Sequence, residues 1–166
     1  ENYVKSMKEF VDEHPEITHV QLLLHQWDYS GTVDSEAMAN NKNNKYMYEL
    51  LKKYDLTQIA SYYVVDEPAD TEANEKLIKD LAAGISGFAP DIKNIVTTNN
   101  SKYDGYISCW CPLWNMIDKS FVAGKQALGE HVWWYGCAVP AAPYPTYHLN
   151  DNLLSPRIVH WMQKDY

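Results

Sequence analysis

The stretch from residue 59 to residue 88 constrains the fold more than any other. Residues 59–65 are rich in β-branched and aromatic side chains, the composition of a buried strand. Asp66-Glu67-Pro68 breaks the run. A helix is predicted from Thr71 to Phe88, with Thr71 as N-cap, Asn74 and Glu75 in the first turn, and Gly84 and Gly87 weakening the end. A buried strand followed at once by a helix is the unit of a parallel α/β sheet.

The alternation continues along the chain, whose 166 residues suggest one domain, residues 1–166, able to bury a sizeable core. Apolar residues at 3, 4, 7, 10 and 11 have helical spacing, ended by His14-Pro15. Residues 17–24 read as a strand buried on both faces. Residues 25–44 are polar and read as an extended loop with at most one helical turn. Tyr46, Met47, Leu50, Leu51 and Tyr54 share a helical face. Further strands are predicted at 94–98, 106–110 and 131–137, with a helix inside 113–128 and a last one over 152–163. About seven residues join the third strand to the fourth, so a single short turn must make a connection that usually takes a dozen or so. The fold class is therefore α/β with a parallel sheet. Five strands fall short of the eight that close a (β/α)8 barrel. The sheet is either open or an arc of something larger.

Asp66 and Glu67 stand at the C-terminal end of a predicted strand, which in barrels is the catalytic end. Strict alternation would send them to opposite faces; a bulge or twist would bring both to one pocket. Pro68 is expected to keep Glu67 extended. Two carboxylates sharing a pocket resist joint ionisation, which makes one of them a general-acid candidate. The competing reading is that one acid caps the following helix and the other is solvated. His25, at the end of the first strand, is a candidate ligand contact or a satisfied surface histidine.

The chain holds 13 Tyr and 6 Trp but only 3 Phe. Tyr and Trp join a flat apolar body to a polar tip, which suits polyhydroxylated ligands as well as ordinary cores. Trp110, Trp133, Trp134 and Tyr135 lie near strand ends. Each is a candidate substrate contact, although adjacent Trp133 and Trp134 should point to opposite sides, so one of them packs against helices. Cys109 and Cys111 share a strand face, but no Cys/His spacing supports a metal site. The sequence has no Gly-rich phosphate loop, no Gly-x-Ser-x-Gly elbow and no His-Glu-x-x-His, so no cofactor is expected. The formal charge of −8, without a Lys/Arg run, argues against nucleic acid. No apolar stretch approaches the roughly 18 residues of a membrane span. The opening Glu1-Asn2-Tyr3-Val4-Lys5 reads like the interior of a longer chain.

The ordered motifs Tyr-Val-Val-Asp-Glu-Pro, Trp-Cys-Pro, Val-Trp-Trp-Tyr-Gly-Cys-Ala-Val-Pro, and Asn-Asp-Asn followed by Ser-Pro-Arg-Ile-Val-His-Trp resemble the catalytic barrel of glycoside hydrolase family 123. They also resemble the related domain of unknown function 4091 of bacterial proteins. The resemblance covers about residues 56–166. It implies a (β/α)8 barrel of which this chain is roughly strands three to seven, the rest coming from flanking sequence or a partner chain. It implies a secreted, periplasmic or cell-surface setting. The implied activity is exo-removal of β-linked N-acetylgalactosamine with retention, the substrate's acetamido group serving as nucleophile. Asp66 would then orient that group. Glu67 would protonate the leaving oxygen and later deprotonate water. Tyr135 would hydrogen-bond the acetamido group, and Trp133 or Trp134 would form an apolar wall. The alternatives are a glycosidase for another sugar and a non-catalytic glycan-binding or scaffold barrel.

Overall fold

The computed structural model describes residues 1–22, 24 and 33–165. In chain order it contains α1 (Asn2–Glu13), β1 (Val20–Leu22), α2 (Ser35–Asn40), α3 (Lys42–Lys53), β2 (Ala60–Val65), α4 (Glu72–Phe88), β3 (Lys93–Val96), β4 (Cys109–Trp110), α5 (Lys119–Ala127), β5 (His131–Val132) and α6 (Ser155–Asp165). The five strands form one sheet in the order β1-β2-β3-β4-β5, and every pairing is parallel. The molecule is a mixed α/β structure on an all-parallel sheet. Among the described residues no helix is long and apolar enough to cross a membrane.

Alternation along β2 sorts its side chains. Ala60, Tyr62 and Val64 are fully buried in one cluster with Val4 of α1, Leu50 and Leu51 of α3, and Leu77, Ile78, Leu81 and Ile85 of α4. Ser61 and Tyr63 face the other way. Helices from both sides of β2 in the sequence therefore share one face of the sheet. Burial of a Leu, Ile or Val here stabilises by about 1.5–3 kcal/mol each.

The sheet is strongly curled. Neighbouring strands sit about 4.8 Å apart, so β1 and β5 in a flat sheet would be about 19 Å apart. Instead, the rings of His19, just before β1, and Trp133, just after β5, meet edge to face with centroids 4.2 Å apart.

Several boundaries differ from the sequence reading, for identifiable reasons. The strand expected over 106–110 is reduced to Cys109–Trp110. The N–H groups of Tyr106 and Ile107 turn back to the Tyr103 carbonyl, closing the 3-10 turn Ser101–Tyr103 that makes the short joint after β3. Toward β3, Ser108 is held by side chains: its N–H donates to Asn94 Oδ1 (2.8 Å), and the Asn94 N–H donates to Ser108 Oγ (2.9 Å); toward β5 its carbonyl accepts from the His131 N–H (2.9 Å). The strand expected over 131–137 is regular only at His131–Val132, but single bonds carry the pairing on, from Trp133 N–H to the Trp110 carbonyl (2.7 Å) and from Tyr135 N–H to the Pro112 carbonyl (3.2 Å).

The later part of the expected loop 25–44 is helical. Asp34 caps α2 by accepting from the Ala37 N–H (2.9 Å), and Asn41 caps α3 by accepting from Asn43 and Asn44. The helix predicted to end at Phe88 does so, with Gly84 and Gly87 near its end. They let α2 lie close: a Cβ on Gly87 would sit 2.5 Å from Ala39 Cβ, and one on Gly84 would sit 2.8 Å from Met38 Sδ.

Candidate functional site

β2 delivers its two acids through an irregular end. The register with β3 slips between Tyr63 and Val65, so the ladder is bulged just before Asp66. Glu67 then takes φ of +41°. The expectation that Pro68 keeps Glu67 extended is thus corrected. A side chain in the left-handed region costs about 1–2 kcal/mol, and a following proline does nothing to favour it. Tertiary contacts outweigh that cost. The Glu67 N–H is taken by the Thr97 hydroxyl, and Glu67 Oε1 accepts from the Tyr135 hydroxyl.

Asp66 has its own donors: its Oδ1 accepts from the Tyr63 hydroxyl (2.5 Å) and lies 3.2 Å from Thr97 Oγ1. Neither acid caps α4. Thr71 does so, accepting from the Asn74 N–H at 3.2 Å. Both acids are solvent-exposed. A cavity of about 200 Å³ opens beside Glu67, lined among others by Thr97, Asn99, Leu113, Met116 and Tyr135.

The phenols around the acids are held as donors. Burial, then the hydrogen bond to Glu67 and its charge, raise the Tyr135 hydroxyl above its ordinary range. Burial, then the hydrogen bond to Asp66, do the same for Tyr63. Cys111, on the same face, is pushed up to about 11 by burial and by the charge of Asp66, and Cys109 to about 12, chiefly by burial. The two thiols are therefore protonated at neutral pH and are poor nucleophiles there. Among the described residues no group of three or more His, Cys, Asp or Glu side chains is arranged to hold a metal ion.

Of the residues singled out in the sequence, the structure brings Asp66, Glu67 and Tyr135 together. It places Trp110 elsewhere. That side chain is fully buried on the α5 side of the sheet, its indole N–H donating to Glu130 Oε2 (2.6 Å) and its ring lying 3.8 Å from Lys125 Nζ. Trp133 reaches His19 across the curl. Atoms of Trp133 and Trp134 border a second cleft of about 420 Å³, between β5, α5 and α6, with Ile117, Val122 and Gln163. His25 lies outside the described residues. Two members of the acid site were not foreseen. Tyr63 could have been found as the phenol that alternation sets on the face opposite Tyr62 and Val64, three residues before Asp66. Thr97 could have been found from the polar run Thr97-Thr98-Asn99-Asn100 that ends β3 beside them. The chain matches no protein-family model, and no curated protein matches it.

Proposed function

We propose that this chain is an arc of a (β/α)8 barrel and carries the acid pair of a glycoside hydrolase that removes β-linked N-acetylhexosamine, of the N-acetylgalactosamine type, through the substrate's own acetamido group. The observation that carries the reading is the gathering of Asp66 and Glu67, with three hydroxyl groups, at the C-terminal end of a parallel sheet. Strained backbone at such a place is a common mark of function. The sequential strand order without a switch point, the shared helical face and the meeting of His19 with Trp133 all suit a barrel. The chain exposes 10013 Å², against about 8,400 Å² for a self-contained protein of 19.2 kDa, which leaves surface for further strands to cover. Among the described strands, β1 and β5 each pair on one side only.

In this mechanism Asp66 accepts the acetamido N–H and steadies the positive charge that develops as the acetamido oxygen attacks the anomeric carbon. Glu67 gives its proton to the departing glycosidic oxygen. It then takes a proton from the water that opens the oxazoline, so the configuration is retained. Tyr135 keeps its proton and is a donor to Glu67 or to the acetamido carbonyl. The test is a chromogenic panel of N-acetylgalactosaminide, N-acetylglucosaminide, galactoside and glucoside, run on the intact protein. Turnover confined to the 2-acetamido sugars is expected. Turnover of the plain sugars would overturn the substrate-assisted scheme, and glycan binding without any turnover would favour a non-catalytic barrel.

A further inference from the structure

We infer that Thr97 is a positioning residue that locks the two acids into one working arrangement, an inference that rests on the glycosidase reading. A hydroxyl carries one proton and two lone pairs, so it can accept and donate at once. Thr97 Oγ1 accepts the backbone N–H of Glu67, and it lies 3.2 Å from Asp66 Oδ1 and 3.4 Å from the Val65 carbonyl oxygen, either of which can take its proton. The Thr97 N–H also donates to the Val65 carbonyl at 3.4 Å. One residue at the end of β3 thus grips three consecutive residues at the end of β2, across the point where their register slips.

The grip has directional consequences. Glu67 sits at φ of +41°, a conformation that its own side chain and the following proline disfavour. The Glu67 N–H belongs to the Asp66–Glu67 peptide, so its bond to Thr97 fixes the orientation of that peptide, while the side-chain bond to Tyr135 holds the rotation about the next bond. With the backbone fixed, the Glu67 carboxylate meets Tyr135 while Asp66 stays on Tyr63. Without the hydroxyl, the Asp66–Glu67 peptide loses its anchor and the Asp66 carboxylate loses a neighbour, so both acids are free to shift from this arrangement. Thr97 touches no reacting atom in this scheme; it acts through Asp66 and Glu67.

The substitution Thr97→Val keeps the shape and removes the hydroxyl, whereas Thr97→Ser keeps the hydroxyl. The intact protein is assayed with a series of N-acetylgalactosaminides running from nitrophenyl to alkyl leaving groups. Thr97→Val is expected to lower kcat about 10–100-fold on alkyl glycosides, with a smaller loss on nitrophenyl glycosides and KM changed less than kcat, because misplaced acids lose transition-state contacts first. Thr97→Ser is expected to stay within about threefold of the wild type. If Thr97→Val does not fold, Thr97→Cys, whose sulfur is a weak acceptor, serves in the same comparison. An unchanged dependence on leaving group, or equal losses in the Val and Ser variants, would overturn the inference while wild-type turnover keeps the glycosidase reading intact. A wild-type protein inactive on the whole series would overturn that reading, and the inference with it.

Discussion

A glutamate that precedes a proline has no local reason to sit at positive φ, and Glu67 does so because its neighbours hold it there. At the scale of single residues, the site separates into two acids with different partners, so their substitutions should separate too. If Glu67 is the acid/base, Glu67→Gln should reduce turnover of alkyl glycosides by about 10²–10⁴-fold and spare nitrophenyl glycosides in the first step. Asp66→Asn should slow good and poor leaving groups alike, because it weakens the nucleophile rather than the departure. Initial-rate kinetics on the two substrate types checks both. Much of the pair's position was legible beforehand: Asp66-Glu67 follows an apolar run, and that placement alone puts the two acids at the C-terminal end of a strand. The rotation of Glu67 was not legible, because Pro68 argues for the opposite conformation and the partner that holds its side chain, Tyr135, is 68 residues away.

At the scale of elements, two features carry roles in the fold that the sequence does not show. Gly87 reads as a weak point near a helix end and is also a seat for α2. Gly87→Ala gains about 1 kcal/mol of helix propensity but drives a methyl to 2.5 Å from Ala39 Cβ. Overpacking of this kind costs about 1–3 kcal/mol, so a net loss is expected in thermal melting. Gly84→Ala should be milder, since it meets the flexible Met38 side chain. Trp110 reads as a sugar platform and is instead the centre of a joint between β4 and α5. Lys125 is buried against its ring, pairs with Asp104, and lies 3.8 Å from Glu130 Oε2. Lys125→Ala should cost about 2–4 kcal/mol in urea denaturation, with Lys125→Met less damaging because it refills the space. Periodicity locates strands and helices well, as the agreement of α1, α4 and β2 with their apolar patterns shows. It cannot say which face a strand-end tryptophan takes, because that depends on the helix packed behind it.

At the scale of the whole molecule, the curl of the sheet places a histidine where it is poorly solvated. Burial, then the nearby charges of Lys93 and His131, push the His19 imidazole down to about 4, and its Nε2 is paired with the Ser61 hydroxyl. A histidine whose folded-state value lies below its unfolded value takes up its proton more readily in the unfolded chain. Stability from this source is therefore intact above about pH 6.5, declines as pH falls toward 4, and is flat below that. The loss should be on the order of 2 kcal/mol, after allowance for partial exposure. Urea titrations at a series of pH values check this, and His19→Gln should flatten the profile between those limits.

The contact of His19 with Trp133 also has an optical consequence. A protonated imidazole against an indole edge accepts an electron from the excited ring and quenches its emission, whereas a neutral imidazole quenches weakly. The pair therefore makes the curvature of the sheet visible to light without any added dye. The share of emission missing in Trp133→Phe should be bright at neutral pH and fade as the solution is acidified through about pH 4, where His19 gains its proton. If instead the sheet opens before His19 protonates, the same emission should shift to longer wavelength, as the indole meets water, rather than fade.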